Sequence, residues 1–154
     1  VPARGTATGG PLVKYSRLIG LVAALALAAP LTACSDTSVM HMRVGQCILR
    51  PEGQTATTIE TTSCTSEHDG EVFFVTSAED GEFPGESALN KFAEKQCISN
   101  FEAYVGKRFV SSTLDATWMI PTKDSWAQND RSIVCLVFAM DHSKLKQSVK
   151  DSGL

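Results

Sequence analysis

The first pattern along the chain is an uncharged apolar run from Leu18 to Ala33. Lys14 and Arg17 precede it, so a short positive segment leads into an apolar one, as in secretory signal peptides. These 16 residues would form about 24 Å of helix, which is shorter than the roughly 30 Å hydrocarbon core of a bilayer. The run therefore predicts an export signal that is removed, and not a permanent membrane span.

Two β-prone segments follow, with turn residues between them. Val44 to Leu49 and Ala56 to Ser63 flank Pro51-Glu52-Gly53, and the second segment is rich in threonine. Together they predict a β-hairpin. The polar stretch before the hairpin, Ser35 to Arg43, has no apolar periodicity and is predicted to be a short tether.

Three further segments favour strands over helices. Glu71 to Thr76 has high β-propensity and is predicted to be a central strand. Leu114 to Ile120 ends before a proline, and Ser132 to Met140 is apolar almost throughout, which is typical of a strand buried on both faces. Residues 141–154 are polar and predict a loosely attached tail.

Between Gly85 and Val105 the apolar positions change to helical spacing. They recur at steps of three and four, with charged residues outside the stripe, and Gly106 ends the segment. The stripe consists of Leu89, Phe92, Ala93, Cys97, Phe101, Tyr104 and Val105. The whole pattern predicts an α+β fold, with a mainly antiparallel sheet of about five strands and one amphipathic helix packed on it.

Cys34 closes the apolar run in the string Leu31-Thr32-Ala33-Cys34, which resembles a bacterial lipobox. We expect cleavage before Cys34 and lipid on its thiol; two acyl chains would anchor the protein firmly, since one chain binds a membrane only marginally. Cleavage by ordinary signal peptidase, which would leave a free secreted domain, is the alternative.

Removing residues 1–33 leaves 121 residues, the size of one compact domain. We therefore assign 1–33 to a lipoprotein signal whose true start could be Val13, 34–43 to the tether, 44–140 to the domain and 141–154 to the tail. Removal of 1–33 leaves 11 basic and 17 acidic residues, and the net charge goes from −3 to −6. This acidity argues against nucleic acid as a partner.

Four cysteines remain once Cys34 is assigned to lipid. An even set in an exported chain predicts two disulfides, because disulfides persist in oxidising compartments. Three connectivities are open. We favour Cys47 with Cys64, across the hairpin, and Cys97 with Cys135, between the helix and the buried strand.

A series of short motifs runs through residues 43–140. They are Val44-Gly45-Gln46-Cys47, the segment Cys64 to Phe73, Phe83-Pro84-Gly85, Cys97 with Phe101 and Tyr104-Val105-Gly106, Pro121 with Trp126, and Asn129-Asp130-Arg131 before Val134-Cys135-Leu136. In combination they resemble the septum formation domain family of actinobacterial envelope proteins. This sequence departs from the family pattern at two positions: Gln46 stands where an acidic residue is common, and Asn129 stands where glycine is common. The resemblance implies a small extracytoplasmic module, often membrane-tethered and associated with septation, and carries over no catalytic residue.

Candidate chemistry is concentrated around His68. Cys64, His68, Asp69 and Glu71 are of zinc-ligand types, but paired cysteines supply no thiolate, so we expect no metal and no cofactor. Glu67, Asp69 and Glu71 are candidates for a glycosidase carboxylate pair. A solvated acidic loop, with His68 capping the turn before the strand, is the simpler interpretation.

The candidate binding surface combines tryptophan and arginine, which are enriched at binding hot spots. It consists of Trp118, Trp126, Asp130, Arg131 and His68. The alternative is that both indoles complete a small core. Arg131 is expected to pair with Asp130 or Glu71.

The leading hypothesis is a non-enzymatic interaction module at the outer face of the cytoplasmic membrane, held by lipid on Cys34, with an envelope or division protein as its partner. An exposed Trp126 on a flat surface would favour it. A lipoprotein that binds solutes or cell-wall fragments is the alternative, favoured by a deep apolar pocket beside Trp118. A hydrolase is a third hypothesis, and it needs Glu71 and His68 to converge in a cleft.

We predict that Cys34→Ala releases the chain from the membrane fraction without unfolding it, because Cys34 lies outside the expected core. Fractionation followed by immunoblotting measures the release, and a thermal melt of the released chain checks the fold. Retention of the variant in the membrane fraction would contradict the anchor.

Overall fold

An antiparallel sheet forms the centre of the structure, a computed structural model that describes residues 35–50 and 58–154. Within these ranges there are six strands, β1 (Ser35–Ser38), β2 (Cys47–Ile48), β3 (Thr58–Thr62), β4 (Gly70–Ser77), β5 (Leu114–Met119) and β6 (Ser132–Ala139). Their spatial order is β1-β3-β2-β4-β6-β5, and all neighbours are antiparallel. The helices are α1 (Glu86–Val105) and the short α2 (Lys123–Ala127), with single 3-10 turns at Val39–His41 and Phe109–Ser111.

The predicted hairpin is confirmed, and so is the disulfide across it. Cys47 pairs with Thr62 across β2 and β3, and the burial of β3 alternates, with Ile59 in the core between two exposed residues. Cys47 and Cys64 form a disulfide with their Cα atoms 5.2 Å apart. The bridge fixes the end of the hairpin to the turn before β4.

The predicted helix is confirmed as α1, which lies on one face of the sheet. It ends at Gly106, whose φ of 81° places it in the left-handed region that glycine adopts without strain. The apolar stripe faces β4, β5 and β6, and Phe101 meets Phe73 edge to face at 5.6 Å between ring centroids. The disulfide between Cys97 and Cys135, both fully buried, joins α1 to β6 as expected. No helix in the described part of the chain combines the length and apolar character needed to cross a membrane.

Strand β6 is buried on both faces, as its continuous apolar sequence predicts. Cys135 and Val137 belong to the core cluster under α1, whereas Val134 and Leu136 belong to a second cluster. This second cluster contains Met42, Ile48, Ile59, Val72, Val134 and Leu136. The sheet therefore has a core on each side, although its only long described helix covers one of them.

Both segments that were predicted to be loose belong to the folded domain. Ser35–Ser38 pairs with β3 as strand β1, and Met42 is buried, so most of the predicted tether is part of the sheet region. The prediction of a loosely attached tail is also wrong, because Leu145 and Val149 are buried in the core cluster under α1. Two apolar residues are too few to show a period, so the pattern gave no signal of docking. Cys34, the signal over 1–33 and the hairpin turn lie outside the described residues.

Strand β5 is the last strand at one edge of the sheet. Two of its backbone donors are occupied by nearby side chains of the same chain. The N–H of Leu114 donates to Ser112 Oγ at 3.0 Å, and the N–H of Ala116 donates to Asp115 Oδ1 at 2.8 Å. These donors are therefore not free to pair with another strand.

Replacing both Cys97 and Cys135 with alanine should lower the free energy of unfolding by about 3–4 kcal/mol, because the bridge closes a 38-residue separation. Urea unfolding measures the loss. The matched variant, Cys47→Ala with Cys64→Ala, removes a bridge between residues 17 positions apart. Its free energy of unfolding should fall by about 3 kcal/mol. An unchanged unfolding midpoint in the first variant would show that this bridge does not stabilise the domain.

Candidate functional site

Glu71 is a fully buried acidic residue at the start of β4. Its Oε1 accepts hydrogen bonds from Tyr104 Oη at 2.5 Å and Ser148 Oγ at 2.7 Å, and its Oε2 accepts one from the Val149 N–H at 2.8 Å. All three partners are donors, which matches an ionised carboxylate, since that form only accepts. The carboxyl group therefore joins the sheet, α1 and the C-terminal segment.

The hydroxyl of Tyr104 keeps its proton under all ordinary conditions. Burial raises its pKa well above the usual value of 10.0, and the hydrogen bond to Glu71 raises it further. Tyr104 thus serves as a permanent donor to the carboxyl group. This is a structural role, because both side chains are buried.

His68 is fully buried in the turn before β4. Its backbone pairs with Leu145 in both directions, at 3.0 and 2.9 Å, and its Nδ1 lies 2.8 Å from the Ser66 carbonyl oxygen. Since a carbonyl only accepts, Nδ1 carries the hydrogen. Nε2 is buried and has no hydrogen-bond partner among the described residues. The contact with Ser66 agrees with the predicted role of His68 in this turn.

The other acidic residues of this segment bind the C-terminal segment. Asp69 Oδ2 accepts from Lys144 Nζ at 2.8 Å, and Glu67 lies 3.4 Å from Lys146 Nζ. Partial burial of Asp69 opposes its ionisation, but the hydrogen bonds from Lys144 and from the Arg50 N–H outweigh it, so the pKa of Asp69 lies below its usual value. The carboxylates that sequence suggests for hydrolysis therefore have structural partners.

The geometry of the candidate metal ligands differs from the pattern in the sequence. Cys47, Cys64 and Glu71 offer ligand atoms within 4.8 Å of one another, and His68 is not part of this group. Both sulfur atoms are joined in a disulfide. A disulfide supplies no thiolate, so this group does not fit a zinc site while the bridge is intact.

Trp126 lies on α2 and is only 6% exposed. The helix begins with a capping box between Thr122 and Ser125, which holds the indole over the segment before α1. Trp126 Nε1 donates to the Gly81 carbonyl oxygen at 3.0 Å. The guanidinium of Arg131 lies 3.8 Å from the centre of the indole ring.

The five residues of the candidate binding surface do not form one exposed surface. Trp126 and Asp130 are buried, and half-buried Trp118 donates to Asn90 Oδ1 at 2.9 Å. Both indoles pack in one core cluster, as the alternative interpretation holds, whereas His68 pairs with Leu145 elsewhere.

The expected ion pair of Arg131 with Asp130 or Glu71 is wrong. Arg131 Nε donates instead to Asp80 Oδ1 at 3.2 Å, and its Nη1 donates to the Trp126 and Asp130 carbonyl oxygens at 2.9 Å. Arg131 and Asp80 lie 51 positions apart, and the sequence pattern offered no signal for their contact.

Two surface grooves border these residues. The first, about 510 Å³, lies between α1 and residues 78–84, with Trp126 at its base. The second, about 360 Å³, lies beside β5 and β6 and is lined by Trp118, Phe138 and Arg50, among others. The first groove was missed by sequence reasoning, although the acidic string Glu79-Asp80-Gly81-Glu82 marks its rim.

We predict that Tyr104→Phe lowers the free energy of unfolding by about 1.5–3 kcal/mol, because one donor to a buried charged group is lost while the ring stays. Urea unfolding measures this, and hydrogen exchange should rise at the amides of Val149 and Asp151. The control, Ser111→Ala, removes an exposed hydroxyl and should cost less than about 0.5 kcal/mol. Equal stability of the two variants would contradict the role of Glu71.

The same variant should change how the free energy of unfolding depends on pH in the alkaline range. Since the pKa of Tyr104 is raised on folding, its contribution to stability is complete below about pH 10 and is lost as the pH rises through its folded pKa. In Tyr104→Phe, the free energy of unfolding should therefore fall less steeply with pH above about pH 10 than in the wild type. An identical slope in both proteins above pH 10 would contradict the shift.

The sequence of the domain also matches a family model. The model is described as Septum formation, and it matches residues 33–153, which include nearly all of the described residues. No curated protein and no solved structure matches the chain. The matched range also takes in the C-terminal segment that Glu71 holds to the sheet. The chain therefore belongs to the septum formation domain family.

Proposed function

We propose that this protein is a lipid-anchored extracytoplasmic interaction module without enzymatic activity, which positions envelope or division proteins at the outer face of the cytoplasmic membrane. Its family membership gives it a role related to cell division. The lipid is carried by Cys34, at the end of the apolar run.

One observation carries the non-enzymatic part of the proposal. Glu71 and His68, which the hydrolase hypothesis needs in a cleft, are both fully buried and belong to separate hydrogen-bond systems. A general acid or base has to reach the substrate, directly or through one water. Burial of both groups argues against the hydrolase and favours binding as the function.

The disulfides support an exported location. Two pairs join all four cysteines from Cys47 onward, and such bridges persist in oxidising compartments. Strand β1 begins at Ser35, directly after the proposed lipidated residue. An anchor at Cys34 would thus hold the edge of the sheet close to the membrane surface, without a flexible spacer.

The groove beside β5 and β6 supports a second candidate function, the binding of cell-wall fragments. Its volume of about 360 Å³ falls in the range of small-ligand sites. The Arg50 guanidinium lies 5.4 Å from the centre of the Phe138 ring at this groove and would meet the carboxylate of a peptide stem. Titration with soluble muropeptides, followed by NMR, tests this candidate, and an absence of shifts at Phe138 would exclude it.

The proposal is tested by crosslinking and affinity capture of the tagged protein in growing cells, followed by mass spectrometry. We expect a reproducible division or cell-wall protein that is captured with the wild type and lost with Cys34→Ala. The matched control, Ser35→Ala, changes the next residue and should keep the capture. If no protein exceeds background in the wild type, the adaptor function is wrong.

A further inference from the structure

The groove between α1 and residues 78–84, here called the acidic groove, lies in an acidic stretch of the domain. Residues 71–90 contain five acidic residues and no lysine or arginine. Buried Glu71 is one of them, and the other four are exposed at positions 79, 80, 82 and 86. Three of these exposed residues line the acidic groove.

Contacts with Trp126 and Arg131 hold the rim of the acidic groove in place. The Gly81 carbonyl oxygen accepts from the Trp126 indole, and the Ala78 N–H donates to the Arg131 carbonyl oxygen at 2.8 Å. Asp80 is held by the Arg131 side chain. A rim fixed in this way loses little conformational entropy when a ligand binds.

The charge of the acidic groove is only partly neutralised by the described residues of the domain. Its lining contains no lysine or arginine, and Arg131 beside it is already paired with Asp80. Glu79 and Glu82 are exposed and form no ion pair with any described residue. The rim therefore presents two unpaired carboxylates to an incoming group.

The floor of the acidic groove is apolar. Pro84 and Ala88 are exposed there, Phe92 is half-buried, and Trp126 closes the base. A small cation would leave this floor unused, and an anionic lipid or nucleic acid would be repelled by the rim. The groove is therefore complementary to a ligand that carries both an apolar side chain and positive charges.

We infer that the acidic groove binds a basic segment of a partner protein, with an apolar side chain on Pro84, Ala88 and Phe92 and flanking lysine or arginine at Glu79 and Glu82. The inference rests on the proposed function, because it names the chemistry of the partner of that interaction module. Exposed ion pairs would steer the segment, and the apolar contact would hold it.

The test uses the full chain in detergent and two fluorescently labelled synthetic peptides. One peptide has a central Leu-Trp pair flanked by Lys-Arg pairs; in the other, glutamate replaces each basic residue. Fluorescence anisotropy should show binding of the basic peptide alone, weakening as ionic strength rises. A benzophenone group at the central position of the basic peptide should crosslink to residues 84–92.

The variants locate the site. E79Q with E82Q should weaken binding of the basic peptide about tenfold, since two exposed ion pairs are lost. The matched control, E94Q with E102Q, makes the same charge change on exposed positions of α1 outside the groove and should keep the affinity. A88K should abolish binding, because the positive charge of lysine on the floor would repel the basic peptide. Ala88 is an exposed helical position, where lysine is well tolerated.

Three results would overturn the inference: equal binding of both peptides, equal weakening by the two double variants, or crosslinks outside residues 78–92. The proposed function can fail separately. If the E79Q with E82Q variant still captures the cellular partner of the wild type, the acidic groove is not its docking site, whereas the adaptor function stands. If the basic peptide binds at the groove but no cellular partner is captured, the inference holds and the adaptor function fails.

Discussion

The fold depends on one buried carboxyl group. Burying a charge costs several kcal/mol unless donors surround it, and the donors to Glu71 come from α1 and from the C-terminal segment. The carboxyl group is therefore satisfied only when both elements are docked on the sheet. Leu145 and Val149 enter the core on the same segment. This dependence turns a short polar stretch at the end of the chain into a required part of the domain.

Polar chemistry in this domain is divided between an interior that stabilises and a surface that is free to bind. The interior uses the Glu71 carboxyl group, the Nδ1 atom of His68 and the two disulfides, and each of these has its partner inside the fold. The surface keeps unpaired acidic groups along a groove whose shape is fixed by Trp126 and Arg131. The buried tryptophan thus contributes to the shape of this surface, although little of its own side chain is exposed.

Local patterns predicted most of this structure. The α1 stripe, the β2–β3 hairpin and the apolar β6 depend on spacing within a short segment, and all are confirmed. The even number of cysteines predicts two disulfides, and the two favoured pairings follow from the predicted elements that carry the cysteines; both are confirmed. The failures are one short helix and several contacts between distant residues. The helix α2 has five residues and is too short to show a helical period. The ion pair of Arg131 with Asp80 and the burial of Glu71 depend on tertiary packing alone.

The edge of β5 has a consequence for contacts between copies of this domain. An edge strand with free backbone groups can pair with the same strand of a neighbouring molecule. Ser112 and Asp115 already occupy the donors of Leu114 and Ala116. Two copies that meet at this edge would therefore find these two donors already occupied, so β5 opposes the joining of their sheets along its length.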